Sequence, residues 1–221
     1  MLRLRRLLLL FLSTFHALQV SAEPAVDEDA LLFKSAAEVN EGALRFLAEP
    51  PARPIHRHVN RITITDSSLE DGWVRLNQCH ENLDPMPDVQ VTYREGRVRN
   101  LRVTRAENIG QSWAETHTVQ LRDVQRNAVL CIEAETRALW PAGDNRYVLA
   151  NGPYMRRFLD GFYPMRVSMQ VHLDTPKLRF VEVQPEAQPG FQFWQRDHEV
   201  GYDAVFEGIL NTLMRFDRIQ P

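Results

Sequence analysis

The sequence lacks three features that would place it in a familiar class of protein. After residue 22 it has no apolar run of the roughly 20 residues that a membrane-spanning helix needs, so we expect no transmembrane segment there. It has no Cys-x-x-Cys-His arrangement, because position 76 is Leu, and this excludes covalent haem at Cys79. It also has no basic excess: 26 Lys and Arg stand against 29 Asp and Glu, which argues against nucleic acid as the main partner.

An export signal is predicted over residues 1–22. A basic start (Arg3 to Arg6), an apolar centre (Leu7 to Leu12) and a small-residue exit (20–22) follow one another in the order of a secretory signal. The alternative, a retained membrane anchor, requires a longer apolar run. Cleavage after Ala22 would leave 23 basic against 29 acidic residues and would place the protein in a periplasm. Residues 23–36, which are acidic, are predicted to form a mobile leader.

Alternating apolar residues predict a mainly β fold for residues 37–200. Val74 and Leu76 alternate with polar residues, as do Ile62 and Ile64, and a period of two puts each set on one face of a strand. Short strands with frequent turn signals favour antiparallel, sandwich-like sheets. The alternation slips near Arg99-Asn100, where a β-bulge would restore the phase. A similar slip about 80 residues later leaves open that the β-rich domain consists of two related units.

Two helices are predicted in addition. Asn151 to Pro164 combines a capping residue, a proline in the first turn and i, i+4 apolar pairs, which indicates a short internal helix. Residues 201–217 place apolar side chains at i, i+4, i+5 and i+8 from Val205. This spacing predicts a C-terminal amphipathic helix that packs on the β domain.

The two cysteines predict a disulfide. Cys79 and Cys131 are an even number in an exported chain, where thiols become oxidised. Such a bond encloses a long loop and would contribute on the order of 3–4 kcal/mol to the stability of the folded chain.

Histidine and arginine supply the candidate binding residues. His56 and His58 have the i, i+2 spacing that places two imidazoles on one strand face, where a third histidine (His80, His117 or His172) would complete a copper or zinc site. Nearby arginines oppose such a cation. A second arginine cluster, from Arg94 to Arg105, has the composition of either a carboxylate grip or a solvated strand face paired with acids. In the predicted internal helix, Arg156, Arg157 and Tyr163 are the candidate contacts for a partner.

These observations predict an exported periplasmic protein with a non-catalytic binding or assembly role. Its partner would be an envelope protein or a carboxylate-bearing ligand, and no cofactor is expected. Two alternatives remain: a periplasmic copper- or zinc-binding protein that uses His56 and His58, and a hydrolase with an unrecognised site. An enzyme ranks below the binding role because no catalytic set converges in the sequence.

Overall fold

β-Strands make up most of the described chain, which is residues 40–219 of the computed structural model. The predicted export signal (1–22), the predicted acidic leader (23–36) and residues 37–39 lie outside this range. Within it, no helix is long and apolar enough to cross a membrane. The elements in chain order are β1 (Arg45–Phe46), β2 (Arg57–Thr65), α1 (Ser68–Asp71), β3 (Trp73–Leu83), β4 (Met86–Thr92), β5 (Val98–Ala114), β6 (Thr118–Arg137), β7 (Leu139–Pro141), β8 (Arg146–Tyr154), β9 (Arg157–Phe158), β10 (Gly161–Phe162), β11 (Met165–Asp174), β12 (Leu178–Gln184), β13 (Phe191–Arg196), β14 (Glu199–Glu207) and β15 (Leu210–Arg218).

Nine strands form one large sheet. Its central path runs β1-β14-β11-β2-β3-β6-β4, and β13 and β5 join it by pairing with β14 and β6. The pairs are antiparallel except β2 and β11, which run parallel, with Arg57 opposite Arg166 and Thr65 opposite Asp174. The prediction of a mainly β, largely antiparallel protein is therefore confirmed.

A four-stranded sheet, in the order β12-β15-β8-β7, shares the main core with the large sheet. Ile62 and Val171 of the large sheet belong to the same buried cluster as Leu149 and Phe216 of the small one. Alternation explains the core, because every second residue of β11 is buried while the residues between them are more exposed.

β5 and β6 are the two longest strands, and they pair with each other along most of their length. β6 is a single strand of 20 residues. Asp123 and Asn127 take positive φ (53° and 58°) near its middle. Leu121 and Leu130, on opposite sides of these residues, share a second buried cluster, so the two halves of β6 face a common core.

The β-bulge predicted near Arg99-Asn100 is confirmed. The register of β5 against β6 shifts between Arg99 and Arg102, and Asn100 takes a positive φ of 55°. The later slip also corresponds to a bulge, between Phe180 and Glu182. The idea of two related β units stays a prediction.

The predicted C-terminal helix is wrong, because residues 201–217 are the β14–β15 hairpin. Gly208 separates the strands with φ 91°, and a side chain there would lie 2.1 Å from the carbonyl oxygen of Ala43. The apolar residues fit alternation once this turn is allowed for: Phe206 is buried from β14, and Leu210 and Phe216 from β15. The backbone of β14 forms hydrogen bonds with β11, and that of β15 with β8 and β12. The helix was predicted from the apolar spacing within this segment alone, which carries no information about these partners.

The predicted internal helix at 151–164 is also wrong. β8 continues through Asn151 to Tyr154 along β15, and the small β9–β10 hairpin follows. The i, i+4 pairs record only residue spacing, and a two-turn helix has little stability by itself. The edge of β15 offers partners to this backbone, so the extended conformation forms instead. Among the described residues, the one helix is α1, earlier in the chain.

Candidate functional site

The alternation that builds the core continues into polar residues on β2 and β3. His58 and Asn60 have the parity of Ile62, and Gln78 and His80 have the parity of Leu76; all four polar residues are buried. His58 lies opposite His80 and Asn60 opposite Gln78 in the antiparallel register, so they occupy the same sheet face. The interior is therefore polar along this part of the two strands.

Further polar side chains come from β8, β14 and β15. Thr212 of β15 is buried opposite Asn151 of β8. The hydroxyls of Tyr202 and Thr212 are 3.1 Å apart, and the Asn60 amide donates to the Tyr154 hydroxyl at 3.5 Å. Both sheets thus contribute hydrogen-bonding groups to one region.

A directed hydrogen-bond chain links the histidines to the amides. The Gln78 carbonyl oxygen accepts from the Tyr93 hydroxyl at 2.5 Å and from Nε2 of His80 at 3.2 Å. A neutral His80 that donates through Nε2 has an acceptor at Nδ1, which lies 3.1 Å from Nε2 of His56. The Gln78 amide in turn donates to Asn60 at 2.9 Å.

Burial keeps the three histidines neutral. It lowers the pKa of His56 to about 4, an effect that Asp84 opposes and Arg156 reinforces. It lowers the pKa of His58 to about 3, with a further contribution from His56. It also lowers the pKa of His80 well below its ordinary value, with His58 and His56 acting in the same direction. Charge on His56 would disfavour charge on His58 and His80, because the rings lie close together.

The tyrosines of this region also stay uncharged. Burial raises the pKa of Tyr93, Tyr154 and Tyr202 well above the ordinary value for a phenol. Their hydroxyls therefore keep their protons at neutral pH. The polar interior is a network of neutral donors and acceptors.

A cavity of about 580 Å³ opens beside this network. Its walls include His58, Asn60 and Gln78 from the large sheet, and Asn151 and Thr212 from the small one. Two buried atoms on these walls have no hydrogen-bond partner in the described part of the chain: Nε2 of His58 and Nδ2 of Asn151. Buried polar atoms are almost always bonded, so these two atoms identify positions where a ligand or water would be held.

Arginines lie at the exposed part of the cavity wall. Arg94, Arg97 and Arg137 line it, together with Trp140, and no Asp or Glu within residues 40–219 does. The guanidinium carbons of Arg97 and Arg137 lie 4.9 and 5.2 Å from the centre of the Trp140 ring. We call these three arginines the arginine mouth.

The rest of the predicted arginine cluster is arranged differently. Arg99 pairs with Glu135, Arg102 with Glu133, and Arg105 with Glu107. This is the solvated strand face with acid partners that the sequence left open. The arginine mouth has no such pairs within residues 40–219.

The positions of the histidines agree only in part with the predicted alternative of a copper or zinc site. His58, His56 and His80 do come together, with ring centres 4.3–6.3 Å apart. However, across residues 40–219 no group of three or more His, Cys, Asp or Glu is placed to hold a metal ion. His172 lies instead beside Glu199, at 3.6 Å. His117 lies in the β5–β6 turn.

The proposed partner residues Arg156, Arg157 and Tyr163 do not form a helical surface. Arg156 is bound to Asp84, with Nε 2.8 Å from Oδ2, and it also donates to the Pro164 carbonyl at 3.2 Å. Tyr163 donates to Asp160, whereas Arg157 is exposed and lies over Phe162. Of the two arginines, Arg157 is the more accessible.

Cys79 and Cys131 form the predicted disulfide. They lie directly opposite each other on β3 and β6. Cys79 stands between Gln78 and His80 in the sequence, so the bond fixes β3 where it supplies the hydrogen-bond chain. A thiolate nucleophile at Cys79 is excluded while this bond is formed.

Sequence reasoning missed most of this site, although one signal was present. Extending the alternation of Ile62 and Leu76 along their strands places His58, Asn60, Gln78 and His80 inward. A polar side chain at a core position needs a partner, and four such positions on adjacent strands indicate a built site. The contributions of Asn151 and Thr212 carry no comparable signal, because they depend on the second sheet.

No protein-family model and no curated protein matches the chain. Among solved structures, the M1 zinc metallopeptidase from Deinococcus radiodurans is similar over 81% of this chain and 43% of that chain, with 11% identity and a TM-score of 0.40. A mutant of that enzyme bound to a Tyr-Ser-Ala substrate is similar over 80% of this chain and 43% of that chain, with 10% identity and a TM-score of 0.40. This chain spans less than half the length of that protein, and a likeness this weak carries no argument about function.

Proposed function

We propose that the protein is an exported periplasmic binding protein without catalytic activity, and that the cavity between the sheets is its binding site. The observation that carries the proposal is the pair of buried, unpartnered atoms on the cavity wall, Nε2 of His58 and Nδ2 of Asn151. The cavity volume falls in the range of small-molecule sites, roughly 300–1,000 Å³. A carboxylate-bearing ligand fits this site better than an envelope protein, since a concave site encloses a small molecule.

A neutral interior supports binding rather than bond making. The lining hydroxyl of Thr212 is held by Tyr202, and the histidine chain ends on amide groups. Activation of a hydroxyl nucleophile requires a base within hydrogen-bond reach. The groups found in these positions are suited to orienting a ligand.

Periplasmic copper or zinc binding is the second candidate. It is favoured by the proximity of His56, His58 and His80, whose neutral rings are suitable ligands for these ions. Metal binding would require the His56–His80 hydrogen bond to open. Elemental analysis of protein purified from its own host would detect it, with His58→Phe as the variant that should lose the ion.

The cavity can be tested by blocking it. Leu213 lines the cavity and is 37% exposed, and Val181 is 47% exposed but lies outside the lining, so Leu213→Trp and Val181→Trp form a matched pair. Each protein is incubated with a small-molecule extract of the cell envelope, and the retained compounds are identified by mass spectrometry. We expect a compound that wild type and Val181→Trp retain and that Leu213→Trp retains at least tenfold less. Equal retention by all three proteins, or retention by none, would contradict the proposal.

A further inference from the structure

The arginine mouth brings positive charges together, and no acid of residues 40–219 forms an ion pair with them. Arg97 accepts a backbone hydrogen bond from Arg137 (N–O 3.0 Å) and donates one to Arg94 (3.0 Å), so the three residues are immediate neighbours. Two of their guanidinium groups share the Trp140 ring. Glu95, in the same turn, is exposed and forms no ion pair among the described residues. The charge of this cluster is therefore available to an external anion.

Other arginines on the same strand form ion pairs with acidic side chains. Two positions beyond Arg97, Arg99 pairs with Glu135, and Arg102 pairs with Glu133. Among the described residues, no acidic side chain lines the cavity. A carboxylate or phosphate accepts two parallel hydrogen bonds from a guanidinium group, which makes such an anion the natural partner of the mouth.

The inner part of the cavity has a different chemistry. Nε2 of His58 and Nδ2 of Asn151 need hydrogen-bond partners, and the groups beside them are neutral. A second ionised group would lose its hydration there without meeting an opposite charge. An uncharged hydroxyl or carbonyl group suits this end of the cavity.

We infer that the cavity holds a small organic anion with two unlike ends. Its carboxylate or phosphate group is bound by Arg94, Arg97 and Arg137, and its uncharged polar end hydrogen-bonds to Nε2 of His58 and Nδ2 of Asn151. This inference rests on the proposed function, because it names the class of ligand for the same cavity.

Three probes with a six-carbon chain and the same configuration at the four internal hydroxyl carbons test this ligand class. Gluconate carries a carboxylate, glucitol 6-phosphate carries a phosphate, and glucitol carries no charge. Binding is measured by titration calorimetry and ligand-observed NMR at neutral pH and low salt. We expect at least one of the two anions to bind, and the tighter one to identify the preferred group. We expect no detectable binding of glucitol at the same concentration.

Charge-matched variants locate the anion. Arg97→Gln with Arg137→Gln should weaken binding of the anionic probe at least tenfold, whereas Arg99→Gln with Arg102→Gln removes the same charge from the paired face and should change it less than twofold. If the first double variant proves unstable, the single variant Arg137→Gln replaces it in the binding measurement. His58→Phe should weaken binding of the polyol anion several-fold and leave the binding of inorganic phosphate unchanged.

Failure of the ligand class can be told apart from failure of the proposed function. If neither anion binds, or if both double variants weaken binding equally, the ligand class is wrong. If Leu213→Trp still removes a compound retained from the envelope extract, the cavity remains the binding site and only its ligand differs. If Leu213→Trp has no effect either, the proposed function fails with it.

Discussion

Nε2 of His56 and Nδ1 of His80 lie 3.1 Å apart, although the two residues are 24 positions apart in sequence. One of these two ring nitrogens must accept the hydrogen bond, so the contact cannot persist when both rings are protonated. Together with His58, whose ring centre lies 4.3 Å from that of His80, the pair makes the stability of the fold depend on pH.

We expect the protein to lose stability as the pH falls below 6.5. The pKa values of His56 and His58 are lowered to about 4 and about 3, so the unfolded chain binds protons in this window while the folded chain does not. The unfolding free energy should fall by about 1.4 kcal/mol per pH unit for each such histidine until the folded pKa is reached. Urea unfolding at pH 7 and pH 5 measures the loss.

His58→Phe should reduce this pH dependence. The variant removes one of these groups, so its loss of stability between pH 7 and pH 5 should be about 2 kcal/mol smaller than that of wild type. The control is His198→Phe, which alters an exposed histidine. Identical pH profiles for wild type and His58→Phe would show that the ring is not buried and neutral.

The β14–β15 hairpin predicts contrasting effects for two leucines. Leu210 is fully buried, whereas Leu213, three residues later, is 37% exposed. Leu210→Ala should destabilise the protein by about 2–5 kcal/mol, and Leu213→Ala by less than about 0.5 kcal/mol. Thermal or urea unfolding distinguishes this from a helix, in which both residues were expected to be buried. A large loss for Leu213→Ala would argue against the hairpin.

Reduction of the disulfide should weaken the fold. Cys79 and Cys131 are 52 residues apart, and in the chain-entropy model a bond that closes a loop of this length contributes about 4 kcal/mol. Mass spectrometry without reductant should give a mass two hydrogens below that of the reduced chain. Replacing both cysteines with Ala should lower the unfolding free energy measured in urea by a similar amount. Two free thiols in the native protein would rule out the bond.

Arg156 and Arg157 should differ in their effect on stability. Arg156 is mostly buried and binds both carboxylate oxygens of Asp84, so Arg156→Ala leaves that charge without its partner and should cost about 1–3 kcal/mol. Arg157 is exposed, and Arg157→Ala should cost less than about 0.5 kcal/mol. A test of this region as a partner surface therefore needs Arg157→Ala alone. Equal losses for the two variants would contradict the assignment.

Local sequence patterns were sufficient to predict several features of the large sheet. β2 (Arg57–Thr65) contains the predicted alternation of Ile62 and Ile64, and the bulge after Arg99 lies where the alternation slips. These features follow from a period of two, which acts within one strand. The pairing of Cys79 with Cys131 needed only the even count, because two cysteines allow a single intramolecular bond.

The two helix predictions failed because a spacing of apolar residues does not say which partner a backbone will find. At 151–154 the edge of β15 provided hydrogen bonds, and at 201–217 the Gly208 turn let the same residues alternate in two strands. Both choices depend on strands far away in the sequence.

The sequence by itself determined which residues of β2 and β3 share the face of Ile62 and Leu76, because the strand period is a local property of the backbone. Only the tertiary structure decided that His58 and Asn60 meet Gln78 and His80 across a sheet, and that Asn151 and Thr212 complete the cavity from the other sheet. It also decided which arginines find acids and which face the cavity. Strand register and sheet packing are set by the joint burial of the whole core, and no single segment contains that information.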